Sequence, residues 1–116
     1  MTKHLVNAFS AGMLPAEGAV AVFAPLDQAQ ARAEAVGATS AVGHADTLRL
    51  FNAALGIEFP LARVSVALTR GDRLILGQYS GPRLPEGATS LPAGASIRWM
   101  LVTVLAMDEL ATDLVC

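Results

Sequence analysis

Apolar residues in this chain gather in short runs that are separated by glycine, proline and polar residues, a pattern typical of several short strands. Gly71 and Asp72 lie between two runs of strand-like alternation, which predicts a β-hairpin. The predicted strands are a short one at Leu5 and Val6, then residues 18–24 closed by Pro25, 39–42, the hairpin arms 62–68 and 74–79, and 97–105.

Two segments have helical character instead. Residues 28–36 are rich in alanine and glutamine, with Asp27 as a candidate N-cap and Gly37 as a stop signal. In residues 47–55 the apolar positions recur at helical spacing, which places His44 in the first turn of that helix. A terminal helical turn is expected at 108–114, and residues 81–96 are too irregular for a regular element and long enough for a functional loop.

The resulting order of elements, ββαβαβββ, predicts an α/β protein with a mixed β-sheet flanked by helices. A length of 116 residues suits a single domain over 1–116 that needs neither disulfides nor metal to bury a core. The hydrophobic fraction is 53% against 16% charged residues, so we expect part of the apolar excess to lie at a subunit interface.

Several protein classes are disfavoured by what the sequence lacks. The apolar runs are too short for a transmembrane helix, and the N-terminal residues do not resemble a signal peptide, so we expect a cytoplasmic protein, in the host cell if the protein is viral. One cysteine, Cys116, allows neither an intramolecular disulfide nor a thiolate metal cluster.

The charge distribution points to a small anionic ligand. The net charge is −2, which argues against binding of long nucleic acid through a basic surface. Between Arg63 and Arg98, however, five arginines stand against two acidic residues. Arginine is the side chain best suited to bidentate phosphate contacts.

The strongest candidate site combines the segment 77–87 with His44. Arg83 and Glu86 stand in a glycine- and proline-rich loop, whose glycines permit the close backbone approach and positive φ of an anion-binding loop. His44 follows Gly43 at a helix start, where backbone N–H groups favour an anion. If the two segments meet in the fold, they form an acid/base and anion-binding set.

Each of these residues also has a purely structural interpretation. His44 could be a helix-terminal histidine bonded to backbone, and Arg83 with Glu86 could form a surface salt bridge worth roughly 0–1 kcal/mol. Arg63 could be an exposed strand charge, while Asn7 and Ser10 could be turn formers.

Other reaction classes lack their motifs. The sequence has no G-x-S-x-G elbow, no phosphate-binding P-loop and no dinucleotide fingerprint. His44 and Asp46 lack the spacing of metal ligands, so we expect no metal and no cofactor. Of the reaction classes considered, acid/base chemistry on a phosphodiester is the one that remains.

Four separated motifs in one order resemble the viral anti-CRISPR ring nucleases of type III immunity and their cellular relatives. They are Asn7-Ala-Phe-Ser10 followed by Met13-Leu14-Pro15, Ser40-Ala-Val-Gly43-His44, Gly77-Gln78-Tyr79, and Arg83-Leu-Pro-Glu86-Gly87. The resemblance covers nearly the whole chain.

The resemblance implies a homodimeric α/β protein that binds cyclic tetra-adenylate and cuts it without metal. The nucleophile would be the ribose 2′-OH of the substrate, and the products linear di-adenylate with a 2′,3′-cyclic phosphate. In an isologous dimer, two copies of His44 could address two opposite phosphodiesters of one ring.

Carried over to this sequence, the resemblance implies that His44 is the general acid, that Arg83 neutralises charge on the reacting phosphate, and that Glu86 orients one of them or contacts a ribose. Asn7, Ser10, Arg63 and Gln78 would position phosphates and adenosine edges. The alternatives are a regulator that binds a cyclic nucleotide or DNA without catalysis, and a protein that serves assembly alone.

Overall fold

The chain folds into one five-stranded sheet with two α-helices, in a computed structural model that describes residues 2–15, 18–84, 87–88 and 90–106. A turn of 3-10 helix at Ala11–Met13 follows the first strand. The strands are β1 (Lys3–Val6), β2 (Ala19–Leu26), β3 (Thr39–Ser40), β4 (Arg73–Ser80) and β5 (Ser96–Ala106), and the helices are α1 (Gln28–Ala35) and α2 (Ala45–Leu55).

The sheet is mixed, with the strand order β2-β5-β4-β1-β3. β1 runs parallel to both β3 and β4, whereas β5 runs antiparallel to β4 and β2. The expected α/β architecture with a mixed sheet and flanking helices is therefore confirmed. Because β1, β3 and β4 are parallel, their carboxyl ends lie at the same edge of the sheet.

Both helices pack on the same face of the sheet. Leu5 of β1, Ile75 of β4 and Trp99 of β5 are buried there against Phe51 and Leu55 of α2. The rings of Phe51 and Trp99 lie 4.9 Å apart between centroids, a tilted aromatic contact. This contact holds α2 against the centre of the sheet. It thereby also places His44, the residue just before α2.

Gly77 serves this aromatic contact and does not belong to an anion-binding loop. It lies buried in the middle of β4, and a Cβ atom there would stand 2.6 Å from Trp99 Cζ3 and 2.7 Å from Phe51 Cζ. A side chain would collide with both rings, so the glycine makes room for them. The expectation that Gly77 is part of a phosphate-binding loop is wrong for this reason.

Irregular segments cover the opposite face of the sheet. Leu68 and Val66 pack there with Met13 against Leu74 and Val102. The predicted strand at 62–68 is wrong, and so is its hairpin with β4, because β1 and β5 already occupy both edges of β4. The alternating apolar residues of 62–68 instead place Val66 and Leu68 into the core of this face.

The remaining boundaries follow local signals closely. Asp27 caps α1 in a capping box with Gln30, as predicted, and β5 agrees with the predicted last strand. β2 continues through Pro25, a residue that sheets tolerate on an edge strand such as β2. The terminal turn expected at 108–114 lies outside the described residues. In the part of the chain that is described, no helix has the length and apolar character to cross a membrane.

Candidate functional site

The candidate site lies at the edge of the sheet where the three parallel strands end. Asn7 follows β1, residues 41–44 connect β3 to α2, and residues 81–84 follow β4. In open α/β sheets, ligands bind in the crevice outside the carboxyl ends of the strands. The topology therefore gathers three of the sequence motifs at one place.

His44 is the residue immediately before α2, one position earlier than the predicted first turn. Its extended backbone, with φ −109° and ψ 118°, makes it the N-cap, and its carbonyl accepts a hydrogen bond of 2.9 Å from the Leu48 N–H. Its side chain makes no capping hydrogen bond and is exposed. The imidazole is thus left available for a ligand at the positive end of an 11-residue helix.

Arg83 and His44 line the same cavity, which measures about 340 Å³. Tyr79 of β4 and Asp46 in the first turn of α2 also line it. Arg83 is exposed, and no hydrogen bond or ion pair to another described residue involves its side chain or that of His44. The juxtaposition of the histidine with the arginine loop, on which the sequence hypothesis depends, is present in the fold.

The loop that carries Arg83 is fastened on both sides. The hydroxyl of Tyr79 donates a hydrogen bond to the carbonyl of Pro82, the residue just before Arg83. Gly81 has a φ of 147° and lies so close to Ala95 that a Cβ atom would stand 2.6 Å from the alanine Cβ. These contacts limit where the backbone can present Arg83.

Glu86 lies outside the described residues, so its predicted role stays a prediction. Its neighbour Gly87 is described, and the Gly87 N–H stands 3.5 Å from an Asp46 carboxylate oxygen. The same carboxylate pairs with Arg49 of α2. The chain thus returns to the first turn of α2 directly after position 86.

A second cavity, of about 600 Å³, also has His44 in its lining. Asn7 and Arg63 line it together with the histidine. Arg63 is exposed and belongs to an irregular segment, not to the predicted strand, and its Nε–H donates a hydrogen bond of 2.9 Å to the Gly43 carbonyl. His44 therefore lines two cavities, and each of them also has an arginine in its lining.

Ser10 and Gln78 differ in their relation to this pair of cavities. Ser10 lines a third cavity of about 420 Å³, which shares Val64 and Ser65 with the second one. Gln78 is exposed on β4 and lines none of the three, because alternation along the strand turns it away from Tyr79. The structure brings His44, Arg83, Arg63 and Asn7 together, sets Ser10 beside them, and leaves Gln78 apart within one chain.

Three contributors were not predicted as site residues: Tyr79, Asp46 and Gly43. Alternation along β4 could have identified Tyr79, since Ile75, Gly77 and Tyr79 share the face on which α2 packs. No local signal in the sequence identifies the contact between Gly43 and Arg63, because their segments meet only in the fold.

Acidic groups and histidines are sparse at this edge. Among the described residues, no three of His, Cys, Asp or Glu gather closely enough to hold a metal ion.

The sequence profile of the STIV B116-like family matches residues 3–93, a range that contains every candidate site residue. The chain belongs to the STIV B116-like family. A solved structure of B116 from Sulfolobus turreted icosahedral virus shares 27% sequence identity with this chain, with a TM-score of 0.74. The match covers 89% of this chain and 99% of the viral protein. No curated protein matches the chain. The family assignment thus ties this chain to a viral protein of the same fold.

Proposed function

We propose that this protein is a metal-independent ring nuclease that binds cyclic tetra-adenylate and cleaves it to linear di-adenylate with a 2′,3′-cyclic phosphate. Such an activity removes the second messenger of type III CRISPR immunity and so switches the signal off. The observation that carries the proposal is the shared cavity of His44 and Arg83 at the carboxyl ends of the parallel strands.

The proposed reaction needs a proton donor and a cation on one phosphodiester. The substrate 2′-oxygen forms a bond to phosphorus as its proton leaves to water or a base, and the bond from phosphorus to the 5′-oxygen breaks. His44 in its protonated form gives a proton to that 5′-oxygen, and Arg83 stabilises the charge that builds on the phosphate oxygens. Both side chains are exposed at the same cavity, which this geometry requires.

The second cavity gives the ligand a further place to bind. Arg63 and Asn7 supply donors in this cavity, suited to a neighbouring phosphate or to an adenosine edge. Cavities of 340 and 600 Å³ fall in the range of roughly 300–1,000 Å³ that holds a drug-sized ligand. One chain would then hold part of a four-nucleotide ring, and a homodimer about a two-fold axis would hold the whole of it.

The decisive experiment is incubation of the purified protein with cyclic tetra-adenylate in the presence of EDTA, followed by identification of the products by mass spectrometry. We expect linear di-adenylate that carries a 2′,3′-cyclic phosphate. Ring that stays intact after long incubation with excess protein contradicts the proposal.

Binding of cyclic tetra-adenylate, measured in parallel by calorimetry, distinguishes the proposed enzyme from its main alternative, a protein that binds without cleaving. Tight binding of an intact ring would indicate a regulator that sequesters the messenger without cleaving it. Cleavage that occurs only after a divalent metal is added would contradict the metal-independent mechanism and retain the substrate class.

A further inference from the structure

The position of Arg63 is unusual, because no regular element holds it. It lies within residues 57–69, which form neither helix nor strand. Ala62 and Arg63 themselves are hydrogen-bonded to the residues before His44: the Ala62 N–H donates to the Val42 carbonyl at 3.1 Å, and Arg63 Nε–H donates to the Gly43 carbonyl at 2.9 Å. Arg63 is thus set in place by the residues just before His44.

Gly43 is a glycine for a reason of space and not of backbone conformation. Seven glycines among the described residues have positive φ, and Gly43 is not one of them. A Cβ atom at this position would stand 2.9 Å from Arg63 Cγ and 3.5 Å from Arg63 Cα. The close neighbour is the base of the arginine side chain and its backbone, which cannot move aside as freely as a side-chain tip.

We propose that Gly43 is a positioning residue of the site, whose missing side chain lets Arg63 lie against its backbone and present the guanidinium beside His44. A methyl group at residue 43 displaces the Arg63 stem and breaks its hydrogen bond to the Gly43 carbonyl. The guanidinium then leaves the second cavity, while Arg83 in the first cavity stays where it is. This inference rests on the proposed function for its ligand, and on the Gly43 contact alone for its geometry.

The test compares Gly43→Ala, Arg63→Ala and the double variant in a His44→Asn background, so that cyclic tetra-adenylate is bound and not consumed. We expect each single substitution to raise Kd about tenfold, as the loss of one charge-assisted contact does. The double variant should bind no more weakly than Arg63→Ala, because both changes remove the same contact. Additive losses, or an unchanged Kd in Gly43→Ala, overturn the inference.

Gly12→Ala is the matched control. Gly12 also lacks positive φ, and a Cβ atom there would meet only Ser10 Oγ at 3.9 Å, an ordinary contact. We expect Gly12→Ala to bind as the parent does. In otherwise wild-type protein, Gly43→Ala should raise KM and leave kcat within about twofold, since proton donation by His44 is untouched. A fall in kcat of about tenfold with no change in KM contradicts a binding role for the Arg63 guanidinium.

A readout without nucleotide keeps this inference separate from the proposed function. In a ¹H–¹⁵N spectrum, the Nε–H resonance of Arg63, assigned by its loss in Arg63→Ala, should shift in Gly43→Ala and stay in place in Gly12→Ala. If the wild-type protein binds no cyclic tetra-adenylate but the resonance shifts, the proposed function fails and the positioning role stands. A resonance that does not move overturns the positioning role whatever the protein binds.

Fluorescence of Trp99, the only tryptophan, shows whether Gly43→Ala folds. If it does not fold, Arg63→Lys tests the same contact. Lysine keeps the charge but has no Nε–H in the planar fork that reaches the Gly43 carbonyl. We expect binding weakened about as much as in Arg63→Ala. Wild-type affinity in Arg63→Lys means that charge alone suffices, and it overturns the role of the contact.

Discussion

The two ends of the parallel strands use their charged residues differently. At the amino end, Asp72 is only 5% exposed and accepts hydrogen bonds from the Thr2 N–H, the Thr69 N–H and the Thr69 hydroxyl. Lys3 donates from Nζ to the carbonyls of Glu34 and Val36 at the end of α1. At the carboxyl end, His44 and Arg83 are exposed and make no side-chain hydrogen bond to another described residue.

This difference separates charges that hold the fold from charges that are available to a ligand. A buried carboxylate with three donors stabilises the native state, and removing it leaves those donors unsatisfied. Exposed polar and charged side chains around a cavity contribute little to stability, but they can bind an anion. Substitutions at the carboxyl end should therefore change activity and not stability, and substitutions at the amino end should do the reverse.

The largest effect is expected for His44→Ala at the carboxyl end. Loss of a general acid should lower kcat for cyclic tetra-adenylate cleavage by about 10²–10⁴-fold. The exposed side chain makes no capping bond, so the melting temperature should change little. Single-turnover kinetics measure the loss of cleavage rate, and calorimetry on the same sample measures the melting temperature. A kcat within a few-fold of wild type contradicts His44 as the proton donor.

Arg83→Ala should come next, with a loss of about 10²–10³-fold in kcat, the usual cost of removing a group that stabilises transition-state charge. Arg70→Ala is the matched control, since Arg70 is also exposed but lines none of the cavities around His44. We expect that variant to cleave as wild type does. Equal losses in the two variants would mean that overall charge, and not the position of Arg83, accounts for the effect.

Asp72→Asn tests the amino end, where the loss should appear in stability. An amide presents one acceptor oxygen where the carboxylate has two, so at least one donor from Thr2 or Thr69 loses its partner. We expect the free energy of unfolding at pH 7 to fall by about 1–3 kcal/mol, with kcat unchanged. Urea denaturation measures the first quantity. Lost activity in a folded variant would contradict the separation of the two ends.

The pH dependence of that loss follows from the pKa of Asp72. Burial by itself would raise this pKa, but the hydrogen bonds from Thr69 and Thr2 outweigh it and hold the pKa below the ordinary value of 3.8. A carboxyl whose pKa is lowered in the folded state stabilises the fold above the unfolded pKa, and the contribution disappears as the pH falls through the folded pKa. The stability difference between wild type and Asp72→Asn should therefore be full at pH 5 to 7 and shrink below about pH 4. A difference that does not vary from pH 7 to pH 3 contradicts this assignment.

Local signals predicted what depends on neighbours in sequence. The Asp27 cap, the stop at Gly37 and the strand β5 are such features, because capping and alternation act within a few residues. The segment 62–68 has the same alternation but forms no strand, since whether it can pair depends on which strands already flank β4. Strand pairing is not a local property, and the pattern could not reveal it.

The candidate site likewise combines features that the sequence predicts with features that only the fold determines. The order of the motifs predicts that His44 and Arg83 meet, and the parallel strands β3, β1 and β4 bring the two residues to one cavity because they end at the same edge of the sheet. Gln78 is predicted to position the substrate, but alternation along β4 places Tyr79, and not Gln78, at the cavity of the same chain. A glycine beside other glycines and prolines suggests a loop at position 77. Gly77 instead lies against the rings of Trp99 and Phe51, and this follows from packing that no short motif encodes.

The smallest predicted effect concerns Tyr79, where the separation between the two ends is least strict. Its hydroxyl makes a structural hydrogen bond at the carboxyl end, to the carbonyl just before Arg83. Tyr79→Phe keeps the ring and loses only this bond, so kcat should fall about three- to tenfold through a less fixed Arg83, with a melting temperature near that of wild type. In an Arg83→Ala background the same substitution should have almost no further effect, because the two residues then act as one unit. If Tyr79→Phe lowers kcat equally with and without Arg83, the tyrosine acts on the substrate directly, and the hydroxyl belongs with the ligand-binding groups of this end.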